Sequence, residues 1–266
     1  YADGSLLTKI LPILTEKFLE PKIERYKSIS KQENAQEKIV SLKSNSNNRV
    51  KTSFKENFQE VSYVKDDESF VLGRGSFGTV YLGKYEVYEF SSSSDSFTSS
   101  NAKEEDGFIA IKFLTSTDQN QNDQIEKEIY CLDSMTHPSY KHAVVNFKGH
   151  VVNYSMTSSA REYFLIQELG LCNLMQLFHS QTIPNFILGG KPGMYRLKVE
   201  IVKGICRAVE SLHRREKFII AHGDIHEKNI LVMRDGRLKL TDVGSSGFRT
   251  EASGSLYTQY RRRGEL

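Results

Sequence analysis

The sequence predicts an α+β chain in which strands with a single helix come first and a helical part with short hairpins follows. Three patterns carry that expectation. Short apolar and β-branched runs recur between residues 70 and 167, interrupted by one helical stretch. Residues 195–213 repeat apolar side chains at helical spacing through Leu197, Ile201, Ile205, Ala208 and Leu212. Asp235-Gly236 separates Ile230-Leu231-Val232 from Leu238-Lys239-Leu240, a strong hairpin signal.

Taken in order, residues 5–26 read as a helix (Leu7, Ile10, Leu11, Leu14, Phe18), with Pro12 as a kink or end. Residues 27–60 are rich in Lys, Asn, Ser, Gln and Glu and read as a flexible tether, so residues 1–67 form an extension. Phe70-Val71-Leu72 opens the domain, residues 68–266, and Thr79-Val80-Tyr81-Leu82 is its next strand. Residues 89–106 hold a serine run and the acids Glu104, Glu105 and Asp106, a solvated insertion. A strand over 108–114, a helix over 123–135 and strands over 147–152 and 163–167 follow.

The 266 residues suffice for one large domain, or for one of about 200 residues with extra segments. A hydrophobic share of 38% is low for a fully packed chain, so part of it is expected outside the core. A net charge of +3 gives no argument for nucleic acid. No run approaches the roughly 18 apolar residues of a membrane span. Cys131, Cys172 and Cys206 are odd in number and far apart, which excludes a disulfide scaffold or a cysteine zinc site and leans towards a reducing compartment. Because the sequence opens on Tyr1, an upstream targeting segment is left open.

Gly73-Arg74-Gly75-Ser76-Phe77-Gly78 fits a glycine-rich turn, a dinucleotide fingerprint or a phosphate flap. Thr79 and Val80 after it continue as a strand, against the dinucleotide reading, which needs a helix there. Lys112 lies in the apolar strand Ala110-Ile111-Lys112; alone, it reads as an outward-facing strand residue. On the next helix Glu128 falls within about 45° of the apolar stripe, whereas Glu126 points away. A buried glutamate and a buried strand lysine each need a partner, and pairing them satisfies both. Asp224 and Asn229, five apart in His222-Gly223-Asp224-Ile225-His226-Glu227-Lys228-Asn229, and Asp242 beyond the hairpin are singly ordinary turn residues. Together they supply the oxygens that holding Mg²⁺ and a nucleophilic hydroxyl requires.

In this order and at these spacings the motifs resemble those of the eukaryotic protein kinases, over some 200 residues from about Ser69. The resemblance implies a two-lobed fold, with a β-rich N-lobe over 68–170 and a mainly helical, here incomplete C-lobe over 171–266. It implies ATP and Mg²⁺ as cofactors and a protein substrate as partner. Arg74, Ser76 and Phe77 would lie in the flap whose Gly73, Gly75 and Gly78 cover the ATP phosphates. Lys112, held by Glu128, would contact the α- and β-phosphates. Val80, Ala110 and Leu231 would enclose adenine, with the backbone of Glu168 and Leu169 on its edge and Gln167 as gatekeeper. Asp224 would orient the acceptor hydroxyl and take its proton, while Asn229 and Asp242 would hold magnesium.

The chain also departs from the family's pattern. Gly223 replaces the arginine before the catalytic aspartate, His226 the lysine usual in Ser/Thr kinases, and Val243 the phenylalanine of D-F-G. Lys228 stands where tyrosine kinases carry arginine, and Arg263-Gly264-Glu265 stands where A-P-E is expected. His222 reads as a packing residue, and Arg261-Arg262-Arg263 as a solvated charge run. Without Arg at 223, a phosphate on Ser253, Ser255 or Thr258 would lack its usual clamp, so activity is expected not to depend on phosphorylation there. Thr258 favours serine or threonine as the acceptor. The alternative to a kinase is a pseudokinase scaffold, and a small-molecule kinase ranks third. The family continues with further helices after the position of Glu265. A fragment of a longer kinase is therefore expected, with Ile201, Ile205 and Leu212 short of partners.

Overall fold

The structure is a computed structural model. It describes residues 5–32, 38–43, 50–55, 58–75, 78–87, 107–155, 160–179, 183, 189–213 and 219–249. The insertion at 89–106, Ser76, Phe77 and everything from residue 250 onward lie outside the described residues. The chain divides into two compact units.

The strand unit comprises Pro21–Gln119 and Lys148–Leu169. It carries most of α2 (Glu20–Ser30) and the strands β1 (Ile39–Lys43), β2 (Val50–Phe54), β3 (Phe58–Val64), β4 (Val71–Gly75), β5 (Gly78–Val87), β6 (Phe108–Ser116), β7 (Phe147–Tyr154) and β8 (Arg161–Gln167). Their order in the sheet is β1-β3-β5-β6-β8-β7-β2, with β4 also paired to β5. β1 and β2 are consecutive in sequence yet occupy opposite edges. Laid flat, the six gaps between seven strands would span about 29 Å. The connection from Lys43 to Val50 reaches at most about 27 Å, so the sheet curls.

Its inner face is filled by an apolar cluster that includes Leu42 of β1, Tyr63, Tyr81, Ile109, Val151 and Phe164, with Val50 and Phe54 of β2 packed against it. Tyr63 sits 5.4 Å from Tyr81 and 5.8 Å from Phe164, ring centre to ring centre. Successive strand residues alternate faces, so Ala110 and Lys112 belong to the other face. There Lys112 stands opposite Val80 and Leu165, and Ala110 opposite Gln167.

The flexible tether expected over 27–60 is therefore corrected, because β1, β2 and the start of β3 lie within it and join the sheet. In these strands polar side chains alternate with Val40, Leu42, Val50, Phe54, Val61 and Tyr63, and a composition average over 27–60 hides that period. Nor does the helical segment end at residue 26. α2 runs to Ser30 and buries Ile23, Tyr26 and Ile29. The Tyr26 hydroxyl hydrogen-bonds Ser62 Oγ at 2.9 Å, and its ring meets Phe70 and Phe108 edge-on. Lys22 Nζ donates to the carbonyl oxygens of Ser69 (2.8 Å) and Val71 (3.0 Å), tying α2 to the entrance of β4. The extension over 1–67 is thus no separate body, since its residues are shared between the two units.

The helical unit comprises Tyr1–Glu20, Asn120–Phe147 and Gly170–Leu266. Its helices are α1 (Leu6–Leu14), most of α3 (Gln119–Ser134), α4 (Leu174–His179) and α5 (Lys191–His213). Its strands are β9 (Cys172–Asn173), β10 (Ile219–Ala221), β11 (Ile230–Val232), β12 (Leu238–Leu240) and β13 (Gly247–Arg249). Pro12 does not end α1; the helix passes through it into one turn of π-helix, Thr15–Leu19. Leu7, Ile10 and Leu14 are fully buried, and α1 packs on α5.

The Glu200 carboxylate accepts the N–H groups of Leu6 (3.2 Å) and Leu7 (3.1 Å), two donors that a helix start leaves unpaired. Of the three residues expected to be short of partners, Ile201 and Leu212 are buried and Ile205 is half-buried. Glu200→Ala is expected to cost about 1–2 kcal/mol, the worth of charge-assisted bonds at a helix start, and to lower the urea midpoint. An unchanged midpoint would mean that α1 is held by its apolar contacts alone. No helix among the described residues is long and apolar enough to cross a membrane.

Candidate active site

In the strand unit the glycine turn closes the β4–β5 hairpin, with Gly75 opposite Gly78. A Cβ on Gly78 would come 2.2 Å from Phe113 O, so the sheet itself demands glycine there. Gly73 and Gly75 differ, since a side chain on either would meet nothing within 4 Å. The fold does not ask for glycine at these two, and their bare backbone leaves room for a ligand. Arg74 pairs with Glu68 and donates to Thr79 Oγ1 at 3.1 Å, bracing the hairpin.

On the outer face of β5, β6 and β8 stand Val80, Ala110, Lys112 and Gln167, with Lys112 and Gln167 almost wholly buried. The Gln167 Nε2 amide has no hydrogen-bond partner among the described residues, an orphan donor of the kind a bound ligand or water satisfies. Glu168 and the buried Leu169 follow directly on β8.

In the helical unit the 222–229 loop lies between β10 and β11. Asn229 Nδ2 donates to Asp224 Oδ2 (3.0 Å) and to Asp224 O (3.1 Å). Two acceptors on that nitrogen fix the amide's orientation and turn Asn229 Oδ1 elsewhere. Among the described residues no donor is placed on Asp224 Oδ1. Asn229 O accepts the N–H of Thr241 at 3.0 Å, which brings the next acid alongside. Asp242 holds a left-handed backbone, φ 61° and ψ 67°, a conformation non-glycine residues keep where the surrounding structure enforces it. Val243 is fully buried.

Glu128 of α3 is 5% exposed, as its place on the stripe predicts, and its Oε2 lies 3.4 Å from where a Gly244 Cβ would be. Leu231 of β11 packs close over Gly170, its Cδ1 3.1 Å from a Cβ built there. Lys228 is exposed. Lys112 and Glu128 belong to different units, and their pairing is part of the proposal below. Asn229 Oδ1 and the Asp242 carboxylate are hard oxygen donors, too few to enclose a cation unaided, which suits Mg²⁺ that keeps waters and phosphate oxygens. The residues present therefore fit that ion.

His222 is buried and joins the two acid-bearing segments: its Nε2 lies 3.1 Å from Thr241 O, and its Nδ1 faces the N–H of Asp224 at 3.4 Å. Burial lowers its pKa, against the smaller opposing pull of the Thr241 bond and of Asp242 and Asp224. The unfolded chain thus binds the proton more readily than the native state. Stability is present above the unfolded value of about 6.5 and is lost as the pH falls through the lower folded value. Urea midpoints should decline from about pH 7.5 to about pH 5.5, and His222→Gln should flatten part of that slope. An identical slope in the variant would remove His222 as its source. Burial also pushes the thiols of Cys131 and Cys172 up to about 11 and about 12, so neither is a nucleophile at neutral pH.

Sequence reasoning treats Gly223 and His226 only as departures, and the structure gives each a place. Gly223 has φ +85°, and a Cβ on it would come 2.5 Å from Ser245 O. His226 caps the turn Glu227–Asn229, its Nδ1 accepting the N–H of Lys228 at 3.2 Å. Histidine is no standard cap residue, so no local sequence signal marks this bond.

Residues 67–262 match the model of the protein tyrosine and serine/threonine kinase family. Among curated proteins the chain is similar to wall-associated receptor kinase-like 21 of Arabidopsis thaliana, 28% identical over 191 residues, which cover 71% of this chain and 25% of that protein. It is 26% identical to wall-associated receptor kinase-like 14 of the same plant, over 71% of this chain and 22% of that protein. It is 24% identical to the G-type lectin S-receptor-like serine/threonine-protein kinase SD1-1, over 69% of this chain and 19% of that protein. The aligned part thus spans a quarter or less of these relatives.

Proposed function

The chain belongs to the protein tyrosine and serine/threonine kinase family, and on that premise we propose that it transfers the γ-phosphoryl group of Mg-ATP to serine or threonine hydroxyls of a protein substrate. The observation that carries the reading is the Asp224 carboxylate, held through Oδ2 by Asn229 while Oδ1 keeps its lone pairs. The acceptor oxygen bonds to the γ-phosphorus as the bond from that phosphorus to the β–γ bridging oxygen breaks. The hydroxyl proton passes to Asp224, and ADP leaves with the electron pair.

Lys112, held by Glu128, neutralises the α- and β-phosphates, and the N–H groups at Gly73, Gly75 and Gly78 cover them. Val80, Ala110 and Leu231 enclose the adenine, whose edge meets the backbone of Glu168 and Leu169, with Gln167 behind it. Lys228 lends a positive charge beside the transferring group. Asn229 and Asp242 would hold Mg²⁺, which when bound offsets charge on the phosphate oxygens. The serine/threonine preference is supported by Thr258 and by the name of the relative SD1-1.

The test is a transfer assay with γ-labelled ATP, Mg²⁺ and a generic protein substrate, beside thermal melts with Mg-ATP. Label is expected on phosphoserine and phosphothreonine, and Lys112→Met is expected to abolish it. Mainly phosphotyrosine would reverse the specificity. A melt raised by Mg-ATP without any transfer would make the protein a nucleotide-binding scaffold instead.

A further inference from the structure

The half-exposed imidazole of His226 stands with Nε2 3.6 Å from Asp224 Oδ2, the oxygen that Asn229 Nδ2 also holds. Its other nitrogen is committed, because Nδ1 accepts the N–H of Lys228 at 3.2 Å. An accepting Nδ1 carries no proton, so the neutral ring carries its proton on Nε2. That N–H stands beside the same carboxylate oxygen that Asn229 holds. At 3.6 Å it lies just outside hydrogen-bond range, as catalytic contacts often do before substrate tightens them.

We propose that His226 is a positioning residue for Asp224: capped at Nδ1 by the Lys228 N–H, it presents Nε2–H to Oδ2 and so aims Oδ1 at the acceptor hydroxyl. The inference rests on the phosphoryl-transfer reading above and adds to it a second donor on the base. Asn229 approaches Oδ2 from the main-chain side of the loop, bonding Asp224 O as well, and His226 supplies a contact from a side chain of its own. With both donors on one oxygen the carboxylate has a single favourable orientation. With Asn229 alone it can rotate and offer either oxygen to the hydroxyl.

Two substitutions separate the two nitrogens. His226→Asn keeps an acceptor near Nδ1 for the Lys228 N–H but is too short to reach Asp224. His226→Gln places an N–H near Nε2 but loses the acceptor of the cap. His226→Asn is expected to lower kcat about tenfold, the worth of one charge-assisted bond, with KM for ATP and the melting temperature unchanged. His226→Gln should recover most of that kcat while melting lower. Equal kcat in both variants, whether at or below the wild-type value, would overturn the assignment.

A ¹⁵N spectrum of the imidazoles supplies a readout independent of turnover. It should show the His226 proton on Nε2 at neutral pH, with a shift that responds to Asp224→Asn. A proton on Nδ1, or no response, would also overturn it. If the wild-type protein transfers no phosphate, the transfer reading falls by itself, and the spectrum still decides whether His226 and Asp224 are paired.

Discussion

Asp224→Asn is expected to lower kcat by about 10²–10⁴-fold, the range over which a positioned general base contributes. The substitution is nearly isosteric, and the amide oxygen can still accept from Asn229 Nδ2, which now lies 3.0 Å from Oδ2. The 222–229 loop should therefore keep its path, including the 3.0 Å bond from the Thr241 N–H to Asn229 O that places Asp242. What disappears is the carboxylate that receives the hydroxyl proton. KM for ATP and the rise in melting temperature with Mg-ATP should stay within about twofold, since uniform binding is untouched when an interaction made only in the transition state is removed. A variant turning over at the wild-type rate on a protein substrate would show that Asp224 is not the base. A variant that also lost nucleotide binding would show that the loop had moved.

The motifs of this chain were easier to read than its edges, and the reason is physical. A glycine-rich turn, a strand lysine and an acid five residues before an amide each show as a residue type at a fixed spacing, so they can be read as motifs. Glu128 was legible for a different reason, since its angle on the helix separates it from Glu126. β1 and β2 were not legible. Each has five residues, two of them polar in β1 and three in β2, and they find their registers only against β3 and β7 respectively, strands separated from them in the sequence. The docking of α1 was hidden in the same way. Its apolar stripe announces a helix, but nothing local says that Glu200, nearly two hundred residues on, receives its first N–H groups. Gly223 and His226 lay between these cases: both stood out as departures, and only the tertiary contacts to Ser245, Lys228 and Asp224 show what each does.

Gly223→Arg, the substitution that would give the chain the family's usual residue, is expected to destabilise it by at least about 2 kcal/mol and to add no regulation. The left-handed backbone at Gly223, φ +85°, costs a residue with a side chain about 1–2 kcal/mol. The Cβ adds a clash, because it would lie 2.5 Å from Ser245 O and 3.2 Å from Ser245 C, and these are backbone atoms that cannot turn aside. Moving them means moving the turn Val243–Ser245. That turn begins at Asp242, and the next residue, Ser246, donates through Oγ to His222 O at 3.2 Å. The damage therefore reaches both acids at once. Gly223→Ala isolates the backbone cost from the charge: its urea midpoint should fall nearly as far as that of Gly223→Arg. With glycine at 223, a phosphate downstream finds no cation there, and phosphatase treatment is expected to leave transfer activity unchanged. A Gly223→Arg protein as stable as the wild type would show that residues 223 and 245 part more readily than their contact implies, and an enzyme silenced by phosphatase would show that transfer does depend on a phosphate.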